Sequence, residues 1–451
     1  MHKRVDLLNG SIPKALTQLA LPIMATSLIQ MAYNLTDMIW IGRIGAGAVA
    51  AIGAAGMFMW LSSGLVTLAR MGGQVKVAQT LGAGDAPRAG KYAQCTLQMG
   101  LLFAVLYSLF LVFCTGPLIG FFNLNGAEVI ANAQSYLRIV GLGMIFTFIN
   151  QILTALITTT GNSKTPFIIT TVGLAVNIVM DPVLIFGIGV IPALGVAGAA
   201  IATVGAQIIV TVLFLRYISS DTHLFCHVNL RKKPDMQLVA EITKISLPAT
   251  LQNVLFPLIA MVVARFVAGF GDAAVAVQKV GSQIESISWM TADGFAMAIN
   301  SFIAQNYGAN NYARAKKGYY ISLGIMTLWG VFCTAVLIFF AAPIFGFFIP
   351  DTSVLPMGID YLVILGYSQL FMCYEIMVSG AFAGFGKTLV PAIVGVSCTA
   401  LRIPMVAVLS ATALGLCGVW WSLTISSILK GTIIFLLFFV LLAKLEKANK
   451  G

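Results

Sequence analysis

The sequence predicts an all-α polytopic membrane protein of twelve transmembrane helices, forming two six-helix bundles related by a pseudo-two-fold axis along the membrane normal. Three observations support this fold class: the apolar composition, a series of long apolar runs, and an internal repeat. Of the 451 residues, 59% are hydrophobic and 9% are charged, and the mean hydropathy is +0.95. Soluble domains carry roughly 25% charged residues, so this composition excludes them.

Apolar runs of about 20 residues or more recur along the chain, and a helix of that length crosses about 30 Å of hydrocarbon. The runs are too long and too rich in glycine for the alternating strands, each of about ten residues, of an outer-membrane barrel. The predicted spans are 13–41, 46–71, 90–115, 130–158, 166–187, 193–217, 240–268, 273–304, 317–341, 355–383, 389–411 and 413–443.

An internal repeat divides the chain into two halves. LALP at Leu19–Pro22 matches ISLP at Ile245–Pro248, and QTLGAGDAPRAGK from Gln79 matches QNYGANNYARAKK from Gln305 at the same offset of 226 residues. GNSKT pairs with GFGKT, and ALGVAG with ALGLCG, later in each half. Six spans return the chain to its starting side, so both halves share one orientation. We predict an N-terminal lobe at 1–218, a cytoplasmic linker at 219–239 and a C-terminal lobe at 240–451.

The net charge of +11 reflects topology. With the first residues in the cytoplasm, 21 of the 26 lysines and arginines fall on that side, as the positive-inside rule requires. We therefore expect a multi-pass protein of the inner membrane with both termini cytoplasmic. The basic residues are split among many short loops, which argues against a nucleic-acid partner. The seven cysteines are scattered without a CxxC pair, so we expect no disulfide framework and no zinc site.

An acidic residue lies in the first apolar span, in the stretch MAYNLTDMIW. A charged carboxylate at bilayer depth costs about 2.5 to 3.5 kcal/mol, so Asp37 needs a partner, water or a proton. Helical spacing places Gln30, Tyr33 and Asn34 on the same face as Asp37. This pattern indicates a functional polar site.

Three further polar residues fall at a similar depth in the first half. Asn177 and Asp181 lie four residues apart on span five, and Thr203 lies on span six. Together with Asp37 they could line one pocket. Two carboxylates close together in low dielectric cannot easily both be ionised, which makes a proton switch possible.

The repeat provides an internal comparison for these residues. The counterparts of Asp37, Asp181 and Thr203 in the second half are Val263, Ile403 and Leu423. The same architecture is therefore built there without acids, which favours a functional pocket over a structural polar cluster.

The second half has its own charged residues within spans, namely Glu285, Asp293, Glu375 and Arg402. Glu375 and Arg402 are predicted at comparable depth, where they could neutralise each other. One hypothesis is an internal ion pair between packed helices, and the other is a charge network for cargo or ion passage.

The repeated motifs resemble those of the multidrug and toxic compound extrusion (MATE) transporters. The resemblance covers essentially the whole chain: LP early in spans one and seven, QxxGA after spans two and eight, and GxxKT after spans four and ten. The DinF-type branch is the most similar, because its proton-linked members carry an aspartate in the first helix, an asparagine and an aspartate in the fifth, and a threonine in the sixth. Pro22 resembles the proline at which that first helix bends. The NorM-type sodium pattern requires an acid in the seventh helix, and the stretch VLFPLIAMVVARFVAG contains none.

The resemblance implies a proton-coupled antiporter that exports cationic or amphipathic compounds by alternating access, with Asp37 as the protonation switch and Asp181 as its partner. We expect a monomer in the lipid bilayer that uses no cofactor, with H⁺ as the coupling ion. Sodium coupling at the same site and a flippase for lipid-linked precursors are the alternatives. From other classes, GAGD at Gly82–Asp85 fits the GxGD motif of an intramembrane aspartyl protease, and a non-transporting scaffold is a further hypothesis.

Overall fold

The computed structural model describes residues 5–122, 126–187, 192–348 and 354–448, without the side chains of Asn34, Leu35, Met38, Ala46, Asp272, Lys447 and Ala448. In these ranges the helices are α1 (Ile12–Ile44), α2 (Ala46–Gly82), α3 (Ala86–Phe113), α4 (Thr115–Gly120), α5 (Ala127–Thr159), α6 (Lys164–Phe186), α7 (Gly195–Ser219), α8 (Met236–Ala268), α9 (Asp272–Gly308), α10 (Tyr312–Phe339), α11 (Ala341–Phe348), α12 (Leu355–Gly366), α13 (Gln369–Gly384), α14 (Leu389–Ala400), α15 (Arg402–Ser410) and α16 (Leu416–Ala448).

The helices confirm an all-α polytopic membrane protein. Nine of them, and α14 with α15 taken as one stretch (Leu389–Ser410), are long and apolar enough to cross a membrane, which gives ten candidate spans in the described ranges. The pair α12 and α13, bent by 47°, raises the number to eleven. Helix α9 coincides with predicted span eight but does not reach that hydropathy, since it carries Lys279, Glu285 and Asp293. The predicted count of twelve is therefore one higher than length and composition support.

Corresponding helices of the two halves have equal lengths. Helices α1 and α8 have 33 residues each, α2 and α9 have 37, and α3 and α10 have 28. The connecting turns also correspond, because Gly84 and Asn310 both have positive φ angles of 80° and 56°. Asp85 and Asn311 then cap the next helix by accepting the backbone N–H three residues later, at 3.0 and 3.2 Å. The repeat is thus structural as well as sequential.

The contacts group the described chain into two compact units. Unit 1 contains Ala25–Thr250 and the residues up to Asp6, and unit 2 contains Leu7–Met24 and Leu251–Gly451. Thr250 lies 226 residues after Met24, the repeat offset, so α1 and α8 each change units at equivalent positions two residues after a proline. Relative to the predicted lobes, the units exchange 7–24 and 240–250. The lobe division at linker 219–239 stays a prediction.

Each unit is packed around one central helix. In unit 1, α5 packs against α2, α3 and α7, and in unit 2, α13 packs against α9, α10 and α16. Small residues permit close main-chain contact. A Cβ atom on Gly198 would lie 2.3 Å from the carbonyl oxygen of Leu184, and one on Gly418 would lie 2.3 Å from that of Leu409. These glycines come from the repeated motifs ALGVAG and ALGLCG, which explains why the motif recurs.

The linker is folded against unit 1. The Asp221 carboxylate accepts the backbone N–H groups of Leu224 and Phe225 at 2.9 and 3.0 Å, which begins a 3₁₀ turn at Phe225–His227. Leu224 and Phe225 belong to the apolar core of the unit. Gln98 donates from Nε2 to the carbonyl oxygen of Lys232 at 2.7 Å, which fixes the linker to α3.

Candidate functional site

The predicted pocket residues of unit 1 come from three helices. Helix α1 supplies Gln30, Tyr33 and Asp37, α6 supplies Asn177 and Asp181, and α7 supplies Thr203. Tyr33 is buried, and Gln30 and Asp37 are half-buried. The predicted contribution of the Asn34 side chain lies outside the described residues.

Asp181 is the most deeply buried acid of the pocket, with 1% of its surface exposed. Its Oδ1 atom accepts a hydrogen bond from Nδ2 of Asn177 at 2.9 Å, one helical turn earlier. Its Oδ2 atom is buried and finds no donor among the described residues. The spacing of four residues on α6 therefore orients one carboxylate oxygen and leaves the other open.

Asp37 and Asp181 lie close enough to interact electrostatically. The Oδ1 atom of Asp37 is also buried, and no described residue donates a hydrogen bond to it. In the described part of the chain, no lysine or arginine forms an ion pair with either carboxylate. We call this pair, with Tyr33, Asn177 and Thr203, the acidic pocket.

Two tyrosines interact electrostatically with the acids. Tyr33 interacts with Asp37 and Asp181 and lies beside Thr203, whose hydroxyl donates to the carbonyl oxygen of Ala199 at 3.0 Å. Tyr136, on α5, is buried and interacts electrostatically with both acids. The sequence analysis missed Tyr136, because its span carries no acid and nothing marked the side of α5 that faces the pocket. A phenol within a predicted transmembrane span was the available signal.

The three positions of unit 2 that are equivalent to Asp37, Asp181 and Thr203 carry apolar side chains. Val263, the counterpart of Asp37, is 2% exposed and belongs to the hydrophobic core of that unit. Leu423, the counterpart of Thr203, packs against the same core, and Ile403 is half-buried. The fold is therefore built without these acids, so their burial in unit 1 is no requirement of the architecture.

Pro22 lies inside α1, fifteen residues before Asp37. It belongs to the segment Leu7–Met24, which is grouped with unit 2. A proline within a helix supplies no N–H and is a common position for a bend. About 22 Å of helix separates Pro22 from Asp37 at 1.5 Å per residue.

The charged residues predicted in the second half form a different set of contacts from the expected one. Glu375 pairs with Lys430, with Oε2 and Nζ 2.9 Å apart. Arg402 interacts electrostatically with Glu375, as the predicted pair requires, but its guanidinium donates its hydrogen bonds to the hydroxyls of Ser426 and Ser427. The charge count assigned Lys430 to the cytoplasm, whereas only 4% of it is exposed.

The other two predicted members differ from each other. Glu285 is half-buried and accepts a hydrogen bond from Nε2 of Gln369 at 3.1 Å. Asp293, two turns later on the same helix, is exposed.

The protease hypothesis depended on Asp85, and the structure gives this residue another role. Its carboxylate accepts the backbone N–H of Arg88 at the N-terminus of α3. Asn311, which cannot act as an acid, has the same role in the second half. Asp85 is therefore a helix cap.

A model of the MatE family matches the chain twice, over residues 22–183 and 248–408. The two matches begin 226 residues apart, which is the offset of the repeat. Among curated relatives, the probable multidrug resistance protein NorM of Thermotoga maritima is 28% identical over 95% of this chain and 92% of its own. The FAD transporter of Shewanella oneidensis is 26% identical over 96% and 95%, and the multidrug export protein MepA of Staphylococcus aureus is 24% identical over 92% and 90%.

Solved structures with the same fold cover almost the whole chain. A multidrug resistance MATE family transporter of the MOP superfamily in an outward-facing conformation superimposes with a TM-score of 0.90, at 23% identity over 99% of both chains. A MOP superfamily transporter from Pyrococcus furiosus, described as having a binding pocket of reverse polarity, gives 0.91 at 23% identity and the same coverage. At these identities the structures show the fold alone.

Proposed function

Because the chain belongs to the MatE family, and is therefore a membrane-embedded multidrug efflux transporter and not an enzyme, we propose that it exchanges protons for cationic or amphipathic compounds at the acidic pocket. Asp37 is the protonation switch, and Asp181 is its partner. We further propose that the chain belongs to the DinF-type branch, acts as a monomer, and lies in the inner membrane with both termini cytoplasmic.

One observation carries this proposal: the buried Asp181 and the half-buried Asp37 interact, and neither carboxylate forms an ion pair with a basic residue among the described residues. Uncompensated charge in a low-dielectric site is costly, whereas a proton or a cation bound to the pair removes that cost. Since both ligands neutralise the same groups, they compete. Competition for one site is the simplest physical basis of antiport.

The cargo class follows from the charge and the aromatic residues of the acidic pocket. A negative site attracts cations, and the rings of Tyr33 and Tyr136 beside the acids suit a flat cationic compound. The same negative charge would repel the phosphate groups of FAD, the compound for which the Shewanella oneidensis relative is named. We therefore propose export of cations for this chain.

The transport cycle uses the competition between the two ligands. With Asp37 ionised, the acidic pocket holds a cation taken from the cytoplasm. A proton entering from the outside neutralises Asp37, so the cation leaves. Protonation also changes the interactions of α1, and Pro22 provides the point at which the helix bends. Release of the proton to the cytoplasm then restores the negative pocket.

Sodium is the second candidate coupling ion. The unpartnered Oδ1 of Asp37 and Oδ2 of Asp181 are hard oxygen ligands of the kind that alkali and alkaline-earth ions prefer. A flippase of lipid-linked precursors is less compatible with the acidic pocket, since a pyrophosphate needs basic residues.

Transport in proteoliposomes tests the coupling ion. A fluorescent cation is loaded, and its movement is followed with a proton gradient alone or a sodium gradient alone. We expect movement with the proton gradient and none with sodium. Movement driven by sodium alone, and unaffected by collapse of the proton gradient, would replace the proton by sodium in this proposal.

A matched pair of variants tests the residue. Asp37→Asn should abolish proton-driven transport, and Asp85→Asn should leave it intact, because an asparagine already serves as the cap in the second half. Transport by Asp37→Asn at the unmodified rate would show that another group couples the proton.

A further inference from the structure

Unit 2 contains a cavity of about 200 Å³ between the first turns of α10 and the last turns of α16. We call this space the α10–α16 cavity, and the residues that line it include Tyr312, Ala313, Lys316, Phe385, Leu445 and Glu446. The ring of Phe385, just after α13, is buried, and its centre lies 5.3 Å from that of the Tyr307 ring. The cavity therefore combines apolar and aromatic walls with two charged side chains.

The equivalent place in unit 1 is filled by the linker. The 3₁₀ turn at Phe225–His227 packs against α3 and α7, which are the counterparts of α10 and α16 in the repeat. A Cβ atom on Gly90 of α3 would lie 2.4 Å from Cβ of His227, so the missing side chain makes room for this turn. The counterpart of Gly90 is Lys316, and α16 runs on to Ala448, beyond the position at which α7 ends in the repeat. Unit 2 therefore has a lysine and a cavity where unit 1 has packed chain.

The surroundings of the α10–α16 cavity are basic. Lys316 forms an ion pair with Glu446, and 35% and 53% of the two side chains are exposed. An ion pair that water reaches so freely is weak, so another anion can compete with Glu446 for the ammonium. Within two residues of the lining, the sequence adds five basic residues and no further acid: Arg314, Lys317, Lys387, Lys444 and Lys447. The charge of this region therefore favours an anionic ligand.

One face of α10 leads from the apolar part of the span to the cavity. Ala313, Tyr320 and Val331 fall on this face at i, i+7 and i+18, and all three are exposed. An exposed valine inside a membrane span is expected to contact lipid tails, and an exposed tyrosine near the end of a span is typical of the membrane–water interface. Because Ala313 also lines the cavity, the cavity opens at the level where lipid headgroups lie.

We propose that the α10–α16 cavity binds the headgroup of an anionic phospholipid, with Lys316 donating to the phosphate and an acyl chain lying along the exposed face of α10. Glu446 competes with the phosphate for Lys316 and thereby sets the affinity. The orientation proposed for the chain places this lipid in the cytoplasmic leaflet, whose anionic lipids attract basic residues near the membrane. The site lies within unit 2 and does not depend on proton coupling at the acidic pocket.

The test compares phosphatidylglycerol with phosphatidylcholine of the same acyl chains. Each lipid is titrated into the full-length protein in detergent, and native mass spectrometry counts the bound molecules. The native protein should bind its first phosphatidylglycerol about tenfold more tightly than phosphatidylcholine, and Lys316→Gln should lose this preference, as expected when a charged hydrogen bond is removed. Glu446→Gln should instead strengthen phosphatidylglycerol binding, by up to about fivefold, because it removes the competing carboxylate. If the ion pair were only structural, the two variants would change lipid binding in the same direction.

Matched variants in unit 1 separate this site from general surface charge. Lys91→Gln and Asp85→Asn make the same charge changes at exposed positions, and each should alter phosphatidylglycerol affinity by less than about twofold. Ala313→Trp fills the cavity without changing any charge and should weaken phosphatidylglycerol as much as Lys316→Gln does.

The outcome is also separable from the proposed transport mechanism. Binding is measured without an ion gradient, so Asp37→Asn should bind phosphatidylglycerol like the native protein whether or not Asp37 couples protons. Equal losses in Lys316→Gln and Lys91→Gln, or undiminished binding in Ala313→Trp, would overturn the assignment of the cavity as a headgroup site.

Discussion

Replacing Asp37 by asparagine removes one negative charge from the acidic pocket and keeps the size of the side chain. At an effective dielectric constant of about 20, a monovalent cation about 5 Å from a carboxylate is attracted by about 3 kcal/mol, or roughly a hundredfold in affinity. Asp37 is half-buried, so solvent screens part of this attraction. We therefore expect Asp37→Asn to weaken cation binding by about tenfold.

The affinity for the cation should also depend on pH, in a direction that competition with a proton predicts. Competition with one proton lowers the apparent cation affinity of the native protein as the pH falls, by up to about tenfold per pH unit. In Asp37→Asn the loss on acidification should be smaller, because only Asp181 remains to take up a proton. Anisotropy titrations of a fluorescent cation at several pH values measure both quantities. A native affinity that does not fall on acidification would refute competition at this pair.

Three further predictions concern topology and stability. Cys226 is exposed in the linker, so a membrane-impermeant maleimide should label it in inside-out vesicles and not in right-side-out vesicles, with Cys226→Ser as the control; the reverse pattern would invert the proposed orientation. Gly198→Ala places a methyl group against a carbonyl oxygen and should cost about 1 to 3 kcal/mol, measured as a lower unfolding midpoint, whereas Gly53→Ala has open space and should not destabilise. Glu375→Gln leaves Lys430 charged and buried and should cost about 3 to 5 kcal/mol, and adding Lys430→Met should recover most of it; no recovery would show that Glu375 stabilises the protein through groups other than Lys430.

The helices and the repeat were predictable from the sequence because both depend on local patterns. Apolar length indicates where a span lies, and a shared offset indicates which turns correspond, as Asp85 and Asn311 confirm. The meeting of Asp37 with Asp181 was predictable from depth along each helix, since a buried acid needs polar neighbours at the same level.

Side-chain partners in the second half were not predictable in the same way. Depth placed Glu375 and Arg402 at one level, but the direction in which each side chain points depends on helix rotation and on breaks in the helices. The structure divides predicted span eleven into α14 and α15 at Leu401. It also buries Lys430, which a charge count cannot distinguish from a cytoplasmic lysine. Predicting these side-chain partners requires knowledge of how the helices pack in three dimensions.

The central claim is that a proton and a cation compete for the Asp37–Asp181 pair. The most direct measurement adds a non-buffering organic cation to the purified protein in weakly buffered solution and follows the pH. We predict that binding releases protons from the native protein, and that Asp37→Asn releases fewer while Asp85→Asn releases as many as the native protein. Saturating cation binding without any proton release would contradict the claim.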